Sequence, residues 1–66
     1  MQIMLNGESR QVEDPCSVLE LVQSLEIKGR RYAVEINQQI VPKSMHQDTL
    51  LASMDCVEIV QAIGGG

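Results

Sequence analysis

Ser17-Val18-Leu19-Glu20-Leu21-Val22-Gln23-Ser24-Leu25 carries both the start signal and the inner stripe of a helix. Ser17 and Glu20 stand three apart, the spacing of a capping box. In that device the serine oxygen accepts from the backbone N–H of Glu20, and the glutamate reaches back to the N–H of Ser17. Val18, Leu21, Val22 and Leu25 recur at helical spacing, so one stripe of the helix faces a core. Lys28-Gly29 supplies the stop, with Gly29 suited to the left-handed cap. A single amphipathic helix needs one apolar surface to lie against, and the flanking segments supply it.

Upstream, Ile3 and Leu5 alternate with Gln2, Met4 and Asn6, the pattern of a half-buried strand. Asn6-Gly7 is the residue pair best suited to a tight hairpin turn, because both positions tolerate positive φ. A second strand runs through about Val12 and ends at Asp14-Pro15. Downstream the period returns to two, with Tyr32, Val34 and Ile36 alternating with Ala33, Glu35 and Asn37. Asn37-Gln38-Gln39 is a turn, and Ile40-Val41 a short strand that Pro42 confines to an edge or an end. Lys43 to Ser53 is irregular, with one helical turn at Ser44 to Gln47, and Cys56 to Val60 is the final strand. The order of hairpin, helix, strand, short strand, strand predicts an α+β fold, one main helix packed on one face of a mixed sheet. That order matches the β-grasp, or ubiquitin-like, fold. There the first and last strands lie parallel at the sheet centre, and the chain end leaves from a rigid strand.

Sixty-six residues allow one domain and no deep pocket walled on every side, which argues against a self-sufficient enzyme. The apolar share of 44% and charged share of 21% are those of a globular chain rather than a disordered one. A net charge of −4 and a single aromatic residue, Tyr32, exclude a nucleic-acid surface, which needs a basic face and stacking platforms. The same charge suits steering toward a basic docking surface, or simply solubility. Met1 to Asn6 is not a signal peptide, and no apolar run is long enough to span a membrane, so the expected location is the cytoplasm. There Cys16 and Cys56 stay reduced. They form no C-x-x-C pair, make a poor zinc set with His46 alone, and read as small apolar or boundary residues. His46 reads as a solvated surface histidine. Lys43 reads as an exposed lysine within reach of an acidic group on a partner, and Met4, Met45 and Met54 as residues filling or bordering the core. No acid and base pair stands near a cleft, so no catalytic residue is assigned.

This leaves residues 1–60 as a body and 61–66 as a flexible tail ending Ile63-Gly64-Gly65-Gly66. Terminal glycines can be a frayed end. They also suit a terminus that must thread into another enzyme. A carboxylate is a poor electrophile until adenylation gives it a leaving group. Residues without a Cβ pass a narrow slot in almost any conformation. Ile63 is the last side chain before the slot and can anchor the tail in an apolar notch. The glycines are not a nucleotide site, since the Lys-Ser/Thr and the following helix of a P-loop are missing.

Several stretches together resemble the ThiS family of sulfur carriers: Ile3-x-Leu5-Asn6-Gly7-Glu8, Ser17-Val18-x-Glu20-Leu21-Val22, Asn37-x-x-Ile40-Val41-Pro42-Lys43, and Val57-Glu58-Ile59-Val60 running into Ala62-Ile63-Gly64-Gly65-Gly66. The resemblance covers essentially the whole chain, and its departure is Ser53-Met54-Asp55 where the family commonly has Asp-Gly-Asp. It implies a carrier, not an enzyme. Gly66 would be adenylated by a ThiF-type enzyme using Mg and ATP, with neither held stably by the carrier. A persulfide from a cysteine desulfurase system would then give a terminal thiocarboxylate, whose sulfur passes to thiazole synthase (ThiG) for the thiazole ring of thiamine. Rival readings are a MoaD-like carrier for molybdopterin synthesis, a ubiquitin-like modifier joined to lysines through Gly66, and a plain binding module with an inert tail.

Overall fold

The computed structural model describes residues 1–27 and 31–61. Helix α1 spans Val18–Ser24 and opens on the predicted capping box. Ser17 is extended, its Oγ accepts from the Glu20 N–H at 3.1 Å, and Glu20 Oε1 accepts from the Ser17 N–H at 3.0 Å. Two of the N–H groups that a helix start leaves without partners are thereby satisfied. Val18, Leu21 and Val22 are buried, and Leu25 packs half-buried at the margin.

The helix ends earlier than the sequence suggests. The Ser24 hydroxyl donates to the Leu21 carbonyl at 2.7 Å, and the Leu25 N–H is shared between the carbonyls of Leu21 and Val22 at 3.2 Å each. Glu26 then takes the left-handed conformation, φ 53°, that was expected of glycine. Lys28 and Gly29 lie outside the described residues.

The sheet consists of β1 (Gln2–Leu5), β2 (Glu8–Gln11), β3 (Tyr32–Ile36), β4 (Gln39–Val41) and β5 (Cys56–Gln61), in the order β2-β1-β5-β3-β4. β5 is central, parallel to β1 and antiparallel to β3, as a β-grasp requires. Asn6 and Gly7 both have positive φ, 50° and 83°, and close the first hairpin in the manner of a type I′ turn. Although β2 ends at Gln11, pairing runs one residue further. The Val12 N–H donates to the Met1 carbonyl at 2.8 Å, and the Met1 ammonium to the Val12 carbonyl at 2.7 Å. The second turn is tighter than expected: Asn37 and Gln38 alone make it, and Gln39 already belongs to β4. β4 lies at the sheet edge, where the following Pro42 breaks no ladder. The predicted helical turn is a 3-10 turn over Lys43–Met45, one residue ahead of its expected start.

Between α1 and the sheet lie Ile3, Cys16, Val18, Leu21, Val22, Val34, Leu51 and Val57. Three expectations fail at its edges. His46 is 2% exposed rather than solvated, because its ring nitrogen Nε2 sits 2.9 Å from the Val41 carbonyl and its own carbonyl accepts the Leu19 N–H at 3.0 Å. Met45 and Met54, expected in or beside the core, are 48% and 59% exposed, and Met4 is half-buried. Of the two cysteines, Cys16 is a core residue while Cys56 is exposed rather than apolar filling.

Candidate functional site

Ile63, Gly64, Gly65 and Gly66 lie outside the described residues. The structure does describe the strand that delivers them and what fixes that strand. β5 runs to Gln61, the last described residue, which pairs with Tyr32 at the start of β3. On its other side the register with β1 covers only Met4 with Cys56 and Leu5 with Val57.

Two asparagines extend the hold on β5 beyond regular pairing. At its start, the Asn37 N–H donates to the Cys56 carbonyl at 2.8 Å, and Asn37 Oδ1 accepts the Cys56 N–H at 3.0 Å. Asn37 Nδ2 also donates to Asp55 Oδ1 at 3.1 Å. Further along, the Asn6 N–H donates to the Val57 carbonyl at 2.9 Å, and Asn6 Oδ1 accepts the Ile59 N–H at 2.9 Å. Sequence reading assigned both asparagines to turns and missed these reaches across the fold. The one signal was that Asn37 is followed by Gln38 rather than glycine.

The turn that precedes β5 contains Ser53-Met54-Asp55, where the resemblance implied a glycine in the middle position. Met54 occupies it at φ 69°, a conformation in which glycine is the usual turn residue. The turn is tied in all the same. Asp55 Oδ2 accepts the Ala52 N–H at 2.8 Å, the Asp55 N–H donates to the Ala52 carbonyl at 3.1 Å, and the Met54 N–H donates to the Gln2 carbonyl at 2.6 Å.

Around the exit of β5, the Lys43 ammonium stands 4.4 Å over the Tyr32 ring, and the Tyr32 and His46 rings are 6.0 Å apart. A cation over an aromatic face is a favourable contact, so Lys43 braces Tyr32 whatever else it meets. On the sheet face away from α1, Glu35 lies directly across from Glu58, and Ala33 across from Val60. Like charges held opposite one another cost stability. That face therefore presents concentrated negative charge beside exposed apolar residues, chiefly Val60 and, on β4, Ile40.

Burial, with the Glu20 and Glu13 carboxylates adding to it, pushes the Cys16 thiol up, against an opposing pull from the N-terminal ammonium. It is therefore a neutral thiol and a poor nucleophile at neutral pH. Among the described residues no cluster of three or more His, Cys, Asp or Glu is placed to hold a metal ion, and no helix is long and apolar enough to cross a membrane.

The sequence model of the ThiS family matches residues 3–66. The chain belongs to the ThiS family. These are sulfur carrier proteins of thiamine biosynthesis, co-substrates of other enzymes rather than catalysts. The sulfur carrier protein ThiS of Escherichia coli is 33% identical over 66 residues, covering the whole of both chains. The crystal structure of thiamine biosynthesis protein ThiS from Geobacter metallireducens matches with a TM-score of 0.86 at 26% identity, again over the whole of both chains. A thiazole synthase of Paramagnetospirillum magneticum is 39% identical over 66 residues, the whole of this ThiS-family chain but 20% of that longer protein.

Proposed function

We propose that the Gly66 carboxylate is the group this carrier presents, with residues 62–66 acting as the tail, since Gln61 belongs to β5, and Ile63, Gly64 and Gly65 as the segment a partner grips. In this cycle a carboxylate oxygen attacks the α-phosphorus of Mg-ATP on a ThiF-type enzyme, releasing pyrophosphate. The terminal sulfur of a persulfide, supplied by a cysteine desulfurase system, displaces AMP from the acyl carbon. A thiol then cleaves the acyl disulfide and becomes a disulfide itself, leaving the thiocarboxylate. Thiazole synthase takes the sulfur for the thiazole ring and regenerates the carboxylate. An ATP-dependent cycle with free thiols suits the cytoplasm.

The observation that carries this reading is that the family match runs through residue 66, so it includes the terminal glycines as well as the folded body. The place of thiazole synthase is supported by its longer relative, in which a segment similar to this whole chain occurs within one protein. The acidic open face agrees with steering toward a basic partner surface.

Deleting Gly66 tests the reading. The reacting carbon would sit about 3.3–3.6 Å short along an extended chain, and misplacement by ~1 Å can cost ~10²-fold in rate. Pyrophosphate exchange with the ThiF-type enzyme should therefore fall steeply while a pull-down still detects docking. Exchange at the full-length rate would assign the function to Gly64-Gly65 instead.

A further inference from the structure

The Met1 ammonium donates to the Val12 carbonyl and the Val12 N–H to the Met1 carbonyl, so these two residues form a hydrogen-bonded pair. Such pairs alternate with non-hydrogen-bonded ones along an antiparallel ladder. Ile3 with Arg10 and Leu5 with Glu8 are therefore the next hydrogen-bonded pairs, and the main-chain N–H and carbonyl of Ser9 and Gln11 point away from β1. β2 is an edge of the sheet and all four of its residues are exposed, so these groups face outward, with no strand beside them among the described residues. The other edge offers less: β4 spans three residues and runs into Pro42, which has no N–H to give.

Exposed edges are commonly blunted by charge. On β2 the charges differ in sign, Glu8 and then Arg10, and a second copy of the strand can match them. When β2 pairs antiparallel with itself, outward-facing residues must oppose one another, which leaves three registers. Centred on Ser9, the pairing sets Glu8 against Arg10 of the other copy, and does so twice. Both are non-hydrogen-bonded pairs, in which side chains stand closest. Centred on Arg10, it sets the two arginines against each other. Centred on Gln11, it sets Arg10 against Val12 and Glu8 against Asp14. Only the first register joins opposite charges, and like charges directly opposed cost stability.

We propose that β2 is a self-pairing edge, at which two copies of this chain join antiparallel about Ser9, each Glu8 meeting the other copy's Arg10. The inference is independent of the carrier reading. Glu8 and Arg10 lie across from Leu5 and Ile3, on the α1 side of the sheet. The two-fold axis stands perpendicular to the sheet, so both helices lie on one side and both open faces on the other. Each copy thus keeps its open face for partners. Four residues a side make a contact far smaller than a standard interface, and the pair is weak and reversible.

Sedimentation equilibrium up to about 1 mM, a concentration that populates weak contacts, is the measurement. The mass of the wild-type chain should rise toward that of a dimer. Ser9→Pro removes an N–H that β1 does not use, a change an edge strand tolerates, and should leave a monomer. Glu8→Arg and Arg10→Glu each turn both attractions into repulsions, and each should raise the dissociation constant about tenfold. An equimolar mixture of these two variants restores opposite charges at both contacts and should associate as the wild type does. Arg10 also borders the cleft between β2 and α1 with Glu13 and Glu20, so thermal melts accompany the series. If Arg10→Glu does not fold, Ser9→Pro and Glu8→Arg decide. A wild-type chain that stays monomeric over the whole range overturns the inference. Association that Ser9→Pro leaves unchanged does so too, as does a mixture of folded charge variants no more associated than its components.

Discussion

The helix start at residues 17–22 and the chain end at residues 62–66 place opposite demands on amino-acid choice. Ser17, Val18, Glu20, Leu21 and Val22 act through side chains, each of which has a named partner or a place in the core. In the proposed role Gly64, Gly65 and Gly66 act by having none. Substitutions in the first region should change stability and leave the chemistry of any surviving folded molecule alone. Substitutions in the second should do the reverse. The division is physical: a core gains from every methyl it encloses, whereas a threaded chain gains from every methyl it lacks.

The comparison breaks most easily at Leu21, 1% exposed. Leu21→Ala should cost roughly 2–5 kcal/mol. A core of this size supplies about 3–5 kcal/mol in all, so urea or thermal melts should find little folded protein. A loss below 1 kcal/mol would mean that the helix is not what holds the body together. Ser17→Ala removes the hydroxyl half of the capping box and should cost about 1 kcal/mol, read as a shifted urea midpoint with an unchanged slope.

Met54→Gly should move stability the other way. A left-handed non-glycine residue costs ~1–2 kcal/mol, partly offset by the freer unfolded chain that glycine brings. The net gain should be about 0.5–1 kcal/mol, and a destabilised variant would show that the exposed Met54 side chain makes a contact worth more than the strain. Gly65→Ala sits at the far end of the scale. Its melting temperature should match the parent's within error while its adenylation slows. A large melting shift there would mean that the tail is packed structure and would erase the contrast.

How legible each feature was follows from how local its cause is. The capping box and the Asn6-Gly7 turn are set by residues within four positions, and both stand where the pattern placed them. The helix end was misread because Ser24 and Glu26 stop the helix before the better-looking Lys28-Gly29. His46 looked solvated because it lies in a polar stretch, followed by Gln47 and Asp48. What buries it comes from Val41, at the end of β4, and Leu19, on the helix. The Asn6 to Ile59 bond spans 53 positions and has no local signature. The tail's glycines lie outside the described residues, and their proposed role rests on their composition and their place after a final strand. That strand proved to be central and one residue longer than expected, ending at Gln61.

The most direct test is the intact mass of the protein after incubation with a ThiF-type enzyme, Mg-ATP and a persulfide source, followed by fragmentation to locate any change. Exchange of one carboxyl oxygen for sulfur adds about 16 Da, the signature of a nucleophile having captured the activated acyl group. The account predicts that increment on Gly66, with the same yield when Cys16 and Cys56 are both replaced by Ser. Added sulfur on either cysteine, with Gly66 unchanged, would contradict it.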